Sequence, residues 1–431
     1  MSSDAVTAAT GALAEPPVVA AEPPLRDLTP RQWVRANLFP SAASSVLTVA
    51  VAALAAWALY RLGRWVFVTA DWAIVRVNLR LFMVGRFPAD QLWRVWVAVF
   101  VLAAVAGLAV GAAGRAAVGD AAVDPDVAAA VRRDRRPLAV ARRFWPAILG
   151  VLVVLGFTRT PVPALLTAAL VAVLAGAVAL GRRLPAAARR WTWALVVVGI
   201  VAAVQVITFG PDGVGWDDWG GLMLTVAATV AGIALAFPLG LLLALARRSS
   251  LPGIRTLATV YIESVRAVPL VALLFVGQYM IGFLFPTSVT PPSFLVRSII
   301  AITAFEAAYI AEIVRGGLQA VPTGQVEAAQ AIGLSPPKVL RLVVLPQALR
   351  AVIPAMVGQF ISLFKDTSLL SIVAFFELIT VAEAAATQDA FRGRGLQVVS
   401  LAFVGFLYWA GCSTMSRESR RLERRLGVGE R

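Results

Sequence analysis

Four charged side chains fall inside segments of this sequence that are otherwise apolar: Glu306, Glu312, Lys365 and Asp366. Lys365 and Asp366 lie about 14 residues into an apolar segment that begins near residue 351, or roughly 21 Å along a helix. Charges at such a depth in a membrane are costly, so they usually pair with each other or face an aqueous path. These four residues are therefore candidates for a substrate path, since a zwitterionic substrate needs one anionic and one cationic contact.

A structural role is the alternative for each of these charges. An ion pair between helices, or a contact with a second membrane protein, would hold the bundle together without touching a substrate. This alternative is favoured for Glu312, Arg315, Lys365 and Asp366. The two roles are balanced for Glu306, which stands near the middle of its apolar segment.

Composition excludes several kinds of chemistry. The sequence has no histidine, one cysteine (Cys412) and two lysines (Lys338 and Lys365). Without histidine there can be no His-ligated metal and no Ser-His-Asp triad, and one cysteine cannot form an internal disulfide. Neither lysine lies in the glycine-rich pattern of a phosphate-binding loop. We therefore predict no catalytic residue, no metal site and no cofactor in this chain, and any ATP chemistry must come from a partner.

The overall composition is that of a membrane protein. Of the 431 residues, 59% are apolar and 15% are charged, whereas soluble domains are about 45–50% apolar. Apolar stretches of about 18 residues, the length needed to cross a ~30 Å hydrocarbon layer, recur along the chain. They predict an all-α, polytopic transmembrane helix bundle with about ten spans, near residues 44–60, 93–113, 145–158, 163–180, 191–208, 221–246, 267–285, 297–315, 351–376 and 396–412.

The distribution of charge orients these spans. A net charge of +15 fits arginine-rich cytoplasmic loops better than nucleic-acid binding, because arginine pairs stand at the span ends. The same rule places the basic loops 114–144, 181–190, 247–266 and 316–350 inside and the acidic loop 209–219 outside, and it permits the uncharged loop 286–296 to lie outside. The basic loop 61–92 conflicts with this alternation, so it is either an amphipathic segment on the outer surface or a sign of a wrong span count. The apolar segment 145–180 could be two spans, a tight hairpin or a re-entrant pair.

Four regions follow from these observations. Residues 1–40 are expected to form a disordered or interfacial cytoplasmic tail, and residues 1–30 lack the basic and apolar regions of a cleaved signal peptide. Residues 41–210 form an N-terminal transmembrane block, and 215–415 form a five-helix core. Residues 416–431 form a basic cytoplasmic tail.

The long inside loop carries the most informative pattern. A short helix can begin near Thr323 and must end at Gly333, which suits a left-handed C-cap position. Ser335 is expected to cap a second helix, and Pro346 to break the hydrogen-bond ladder where the next span begins. A helix, a glycine elbow and a second helix at the cytoplasmic face would make a docking element, to which Ala328 and Ala329 would allow close approach.

This loop resembles the signature cytoplasmic loop of bacterial ABC-importer permeases, which reads Glu-Ala-Ala, three residues, Gly, nine residues, Ile, one residue, Leu-Pro. The matching positions here are Glu327, Ala328, Ala329, Gly333, Val343, Leu345 and Pro346. Valine in place of isoleucine is the one departure. The resemblance implies that residues 323–346 form the coupling helix that inserts into a groove of a partner ATPase, which would hold the ATP and magnesium.

Neighbouring segments resemble the polar amino acid branch of this family. They are Tyr309–Gly317, Gln347–Arg350 and Phe360–Leu369, and Tyr261–Leu270 is also similar, although Ala267 and Val268 depart from the pattern of the branch. The likeness covers about 215–425, and the segment 85–94 is similar to the larger permeases of broad-specificity systems. It implies a multi-pass permease of the bacterial inner membrane that imports amino acids. Permeases for another small polar solute, and a membrane-embedded enzyme, are the alternatives.

The resemblance also implies partners. They are a dimer of ABC ATPase subunits, an extracytoplasmic substrate-binding protein and membrane lipid, but no nucleic acid. A single five-span core cannot enclose a pathway, so a second permease subunit is required. The additional N-terminal block favours a heterodimer.

The proposed orientation can be tested with two single cysteines in a Cys412→Ala background. A cysteine at Gln330 should react with an impermeant thiol reagent only from the inside, and one at Ser288 only from the outside, because loop charge sets orientation. Labelling in intact cells and in inverted vesicles measures this difference. Labelling of both positions from the outside would contradict the topology.

Overall fold

The computed structural model describes residues 29–120, 137–189, 191–209, 213–286 and 288–425. These residues are all-helical, as the sequence predicts. The expected disorder of the first 28 residues lies outside the described residues. The chain divides into two compact units, and the boundary falls after Ala70.

The first unit contains two helices, α1 (Pro30–Leu38) and α2 (Ala42–Arg64). Both begin with a capping box, in which Thr29 and Gln32 close α1 and Ser41 and Ser44 close α2. Helix α2 has 23 residues and no buried side chain, and it measures about 35 Å at 1.5 Å per residue. It is therefore long enough to cross a membrane by itself.

The second unit begins with a short strap, residues 71–92, followed by the rest of the N-terminal block. The strap contains α3 (Ala73–Val77) and α4 (Leu79–Val84). The long helices of the block are α5 (Leu92–Asp120), α6 (Pro137–Gly156) and α7 (Val162–Arg183). The four-residue α8 (Ala186–Arg189) and the longer α9 (Thr192–Thr208) complete it.

Small residues bring the helices of this block together. Helix α5 packs against α7 and α9, and a Cβ added at Gly111 would lie only 2.3 Å from the Val178 carbonyl oxygen. The same is true of Gly181 and the Leu108 carbonyl oxygen. Close backbone approach through glycine is a usual way for transmembrane helices to associate, because the lipid provides no hydrophobic drive.

In the part of the chain that the structure describes, the core follows with nine further α-helices, here given in the order of the chain with the π-turn that joins two of them. They are α10 (Gly221–Arg247), α11 (Pro252–Arg266), α12 (Leu270–Phe275), α13 (Phe294–Ala320), α14 (Thr323–Ala331), α15 (Pro336–Val339), a π-turn (Leu340–Val344), α16 (Leu345–Asp366), α17 (Leu378–Thr387) and α18 (Gln397–Arg425). Helices α10, α13, α16 and α18 pack side by side in the sequence α10–α13–α16–α18. Helices α11 and α12 form a pair bent by 107°.

The expected count of about ten spans is not confirmed. Among the described residues, seven helices are long and apolar enough to cross a membrane, and the bent pair α11–α12 could make an eighth. The α6 backbone leaves helical geometry at Phe144 (φ −100°, ψ 17°), and α9 has only 17 residues. The seven are Ala42–Thr69, Ala89–Gly114, Val162–Arg183, Gly221–Arg247, Phe294–Ala320, Pro336–Ser371 and Gln397–Arg424.

Helices α6 and α7 do not pair as a hairpin. Helix α6 packs along α18, and α7 packs against α5. Two aromatic contacts fix the first of these pairings, between Trp145 and Trp409 (5.6 Å between ring centroids) and between Phe157 and Phe403 (5.7 Å). Helices α6 and α18 therefore run antiparallel. Helix α6 thus connects the N-terminal block to the core.

The strap is amphipathic, as one interpretation of loop 61–92 expected, and its apolar face packs on the core. Its place on the outer side of the membrane stays a prediction. Ile74, Val75 and Phe82 are fully buried, and Phe87 is almost so. Their arginine neighbours point to solvent or lipid: Arg76, Arg80 and Arg86 are exposed. The strap covers the ends of α10, α17 and α18.

Backbone contact between glycines fixes the strap on the core. Gly85 has φ +66°, and a Cβ there would lie 2.4 Å from the Gly220 Cα. Gly221 has φ +53° and its N–H donates to the Phe376 carbonyl at 2.8 Å. Three segments far apart in the sequence thus meet at one point, and Phe82 stacks edge-on against Phe403 nearby at 5.2 Å.

The Gly85→Ala variant should be clearly destabilised, because a β-carbon is disfavoured at positive φ by about 1–2 kcal/mol and would also clash with Gly220. Gly176→Ala in α7 is the matched control, since its added Cβ would meet nothing within 4 Å. Thermal unfolding of the two detergent-purified variants measures the difference. Equal midpoints would contradict the proposed tight contact.

Candidate substrate pathway and coupling loop

Glu306 is the most deeply buried of the candidate pathway residues. It lies on α13 with 0% of its surface exposed. Its Oε2 accepts a hydrogen bond from Gln359 Nε2 on α16 at 2.9 Å, whereas its Oε1 has no hydrogen-bond partner among the described residues. A buried polar atom without a partner costs about 1–3 kcal/mol. The Oε1 atom is therefore available to a donor such as an ammonium group.

A second polar group lies one turn before Glu306 on the same face of α13. Thr303 is 8% exposed, and its Oγ1 also has no partner among the described residues. Residues three apart share a helix face, so Thr303 and Glu306 form a small polar surface in an otherwise apolar layer. Gln359 completes it from α16.

Lys365 and Asp366 stand at the end of α16 and do not pair with another helix. Lys365 is exposed and Asp366 is half-buried, and neither forms an ion pair within the described parts of the chain. The ion pair inside this chain that was the alternative for these residues is thus not formed. The structural role that is left for Lys365 and Asp366 is a contact with a second subunit.

Glu312 is placed differently from the other candidates, in an ion-pair network. It accepts from Arg247 on α10 and from Arg315 at 2.8 Å, and the Arg266 guanidinium lies at 3.7 Å. Arg247 also pairs with Glu263 at 2.7 Å. The network joins α10, α11 and α13 through one carboxylate, which fits the structural alternative for Glu312 and Arg315.

The loop at 323–346 has the expected elbow. Helix α14 ends at Ala331, Gly333 has φ +82°, and the Leu334 N–H donates back to the Ala329 carbonyl at 3.2 Å. This is the hydrogen-bond pattern of a glycine-ended helix. The chain then turns into α15 at Pro336.

Two details of this loop differ from the expectation. The Ser335 side chain makes no capping hydrogen bond, and of its two usual donor positions the first is Pro337, which has no N–H. Pro346 does not interrupt the helix. The π-turn at Leu340–Val344 shifts the hydrogen-bond register, so Pro336–Ser371 forms one continuous helical span.

The side chains of the loop divide into an inner and an outer set. Ala329 is 5% exposed and packs in the core cluster with Val339 and Val344, so its small size lets α14 approach its own chain. The expectation that Ala329 faces a partner is therefore wrong, while Ala328 is exposed as expected. The other positions of the motif are exposed or half-buried, and they are Glu327, Gly333, Leu345 and Pro346.

The largest apolar side chain at the elbow is Ile332, which is 79% exposed. Neither Ile332 nor Gln359 was singled out by the sequence analysis. The signal for Gln359 was its position as a polar residue within the span that begins near residue 351. Ile332 could have been recognised as an apolar residue just before the elbow glycine.

Glu377 is a further buried carboxylate, located between the spans at the start of α17. Its Oε1 accepts from the backbone N–H groups of Ile379 (2.7 Å) and Thr380 (2.9 Å), which makes it the N-cap of α17. Burial raises the pKa of Glu377 to about 7, although these hydrogen bonds act in the opposite direction. Among the described residues, no group of three or more His, Cys, Asp or Glu side chains is arranged to hold a metal ion.

Comparison with known proteins identifies the family. Residues 236–428 match the family described as the binding-protein-dependent transport system inner membrane component. YhdY, an inner membrane amino-acid ABC transporter permease protein of Escherichia coli K12, is 32% identical over 92% of this chain and 93% of its own length. BztC of Rhodobacter capsulatus, a glutamate/glutamine/aspartate/asparagine transport system permease protein, is 34% identical over 92% of this chain and 93% of its own length.

A shorter relative matches only about half of the chain. GlnP of Bacillus subtilis, a probable glutamine ABC transporter permease protein, is 36% identical over 48% of this chain and 91% of its own length. The two longer relatives therefore share the N-terminal block as well as the core. The resemblance drawn from the sequence and the multi-pass location in the inner membrane are confirmed. This chain belongs to the family of inner-membrane permease subunits of amino-acid ABC transporters.

Proposed function

We propose that this chain forms one half of the translocation pathway of an importer for amino acids, and that residues 323–346 couple it to a partner ATPase. The observation that carries the proposal is the exposed helical elbow that leads directly into a pathway helix. The family implies an ATPase and a substrate-binding protein as partners. ATP and magnesium would bind the ATPase, since this sequence has no phosphate-binding loop.

The elbow suits docking because its outer face combines three features. Glu327 offers a charge, Ala328 allows close approach, and Ile332 offers an exposed apolar side chain. Protein interfaces combine an apolar centre with a polar rim, and these three residues offer both. Leu345 and Pro346, the last positions of the motif, begin α16 and join the elbow to the membrane.

Movement of the elbow would reach the pathway through one rigid element. The continuous span Pro336–Ser371 has 36 residues, or about 54 Å at 1.5 Å per residue. It contains Gln359, the partner of Glu306, and ends beyond Lys365. Rotation of this helix by the ATPase would change the hydrogen bond between α13 and α16 and so alter the surroundings of a bound substrate.

Glu306, Gln359 and Lys365 are the residues that we assign to an amino-acid substrate. The unpaired Oε1 of Glu306 would accept a hydrogen bond from the α-ammonium group, and Lys365 would attract the α-carboxylate. Charge-assisted hydrogen bonds are about twice as strong as neutral ones. Asp366 would contribute to the electrostatics of the same region. The printed names of YhdY and BztC, which are amino-acid permeases, support this substrate class.

A second permease subunit would face α16. Ala351, Ala355, Gly358 and Lys365 lie on its exposed face at spacings of three, four or seven residues. A Cβ added at Gly358 would meet nothing within 4 Å, and small residues permit close helix approach in membranes. We propose a heterodimer, in which a helix of the partner packs against this small-residue face of α16.

The coupling role predicts a specific loss in the Gly333→Val variant. A β-branched residue is strongly disfavoured at φ +82°, by about 1–2 kcal/mol or roughly 5–30-fold in the population of the elbow. Substrate-stimulated ATPase activity of the reconstituted complex should fall by a comparable factor, while membrane insertion is normal.

Gly324→Val is the matched control for this variant. Both glycines are exposed in the same loop, and an added Cβ meets nothing within 4 Å at either position. They differ in backbone conformation, because only Gly333 has positive φ. Gly333→Asn, which tolerates positive φ, should retain activity. Equal activity of Gly333→Val and Gly324→Val would refute the assignment of the elbow.

The pathway role of Glu306 predicts weaker transport in the Glu306→Gln variant. The amide keeps the shape and the hydrogen bond to Gln359 but loses its charge, which should weaken substrate affinity by about 1–2 kcal/mol, or some tenfold. The thermal stability of the complex should change little. The concentration of amino acid that gives half-maximal ATPase stimulation measures the effect.

Glu312→Gln provides the contrast, because it removes the one carboxylate that Arg247, Arg266 and Arg315 share. This variant should lower the unfolding temperature of the complex and leave its apparent substrate affinity unchanged. A loss of stability in Glu306→Gln together with an unchanged substrate response would reject the pathway role of Glu306.

A further inference from the structure

Six arginines from two helices that are far apart in the sequence line one cavity of about 310 Å³. Two come from the first turns of α6 and four from the last turns of α18, and a single acidic residue, Glu418, lies among them. The formal surplus is therefore five positive charges. The arginines are Arg142, Arg143, Arg417, Arg420, Arg421 and Arg424.

Two of these arginines have no acidic partner among the residues that the structure describes. Glu418 is occupied by Arg143, whose Nε donates to its Oε1 at 2.6 Å and whose second donor nitrogen binds its Oε2. Arg142 and Arg420 are exposed and form no ion pair with any acidic side chain that the structure describes. The Arg417 guanidinium lies over the Trp145 ring at 4.9 Å.

A second cavity of about 310 Å³ adjoins the first and is of different character. The two share Arg143, Glu418 and Arg421, but the second also includes apolar side chains from α16 and α18. These are Val357, Met415 and Leu422. A strongly basic space thus opens directly onto an apolar one.

Two tryptophans stand beside the pair of cavities. The rings of Trp145 and Trp409 are in tilted contact at 5.6 Å between centroids, and tryptophan is enriched where lipid headgroups meet hydrocarbon. The cytoplasmic preference for arginine requires only that charges stand on the inner side. It does not require that two helices far apart in the sequence place six arginines around one cavity.

We propose that these cavities bind an anionic phospholipid of the cytoplasmic leaflet. Its phosphate would lie among Arg142, Arg417 and Arg420, and an acyl chain would pack against Val357 and Leu422. Basic pockets between helices on this side of a membrane are suited to anionic headgroups. The lipid would join α6 of the N-terminal block to α18 of the core.

The test uses the purified full-length chain, delipidated in detergent and titrated with phosphatidylglycerol or phosphatidylcholine. Native mass spectrometry counts the retained lipid, and thermal unfolding measures the stabilisation. Phosphatidylglycerol should be retained preferentially and should raise the unfolding temperature more. The double variant Arg142→Gln/Arg420→Gln should bind it roughly 30-fold more weakly, at about fivefold for each arginine near an anionic surface.

The double variant Arg183→Gln/Arg255→Gln is the matched control. It removes two exposed arginines from loops assigned to the same side of the membrane, but neither lines the cavities. It should bind phosphatidylglycerol like the wild type. An equal loss in both double variants would show a general effect of surface charge and overturn the proposal, as would the absence of any preference in the wild type.

The Val357→Phe variant and inorganic phosphate distinguish a lipid from a soluble anion. Phenylalanine at this position would fill the apolar cavity without changing any charge, so it should reduce lipid retention. Unchanged retention in Val357→Phe would overturn the assignment of the acyl chain. Inorganic phosphate alone should not stabilise the protein, and stabilisation equal to that by phosphatidylglycerol would identify a soluble phosphate site instead.

Discussion

A polar group left without a partner in hydrocarbon costs several kcal/mol, and the core of this protein is arranged around that cost. Its described backbone is helical, so the N–H and C=O groups pair within each element. Charged side chains are then handled in two ways. Glu312 is surrounded by three arginines and joins three helices, whereas Glu306 keeps one oxygen unpaired beside Gln359. The first arrangement joins three helices, and the second is the one that we propose for a substrate.

The sequence predicted those features that depend on nearby residues. The elbow at Gly333 follows from a glycine between a short helix and two prolines, and the burial of Glu306 follows from its depth in an apolar segment. Features that depend on distant packing were not accessible. Ala329 faces its own chain because Val339 and Val344 return beneath it, and no local pattern distinguishes it from Ala328. The partner of Glu306 lies 53 residues away on another helix.

The N-terminal block was the part least accessible to prediction. The sequence of the strap is rich in arginine, yet Ile74 and Phe82 within it are fully buried. A count of charged residues describes only the exposed face of such a segment and gives no information about its buried apolar face. The block is joined to the core at both ends of α6, through Phe157 at one end and the arginine-lined cavity at the other.

The strap also has a consequence for the time course of biosynthesis. Asn78 receives a hydrogen bond from Gln388, a residue 310 positions later. At about 5–20 residues per second, the ribosome needs roughly 15–60 s to make that interval. Throughout this time the apolar face of the strap lacks the helices that bury it. The strap therefore cannot reach its final packing before the last helices of the core have been made.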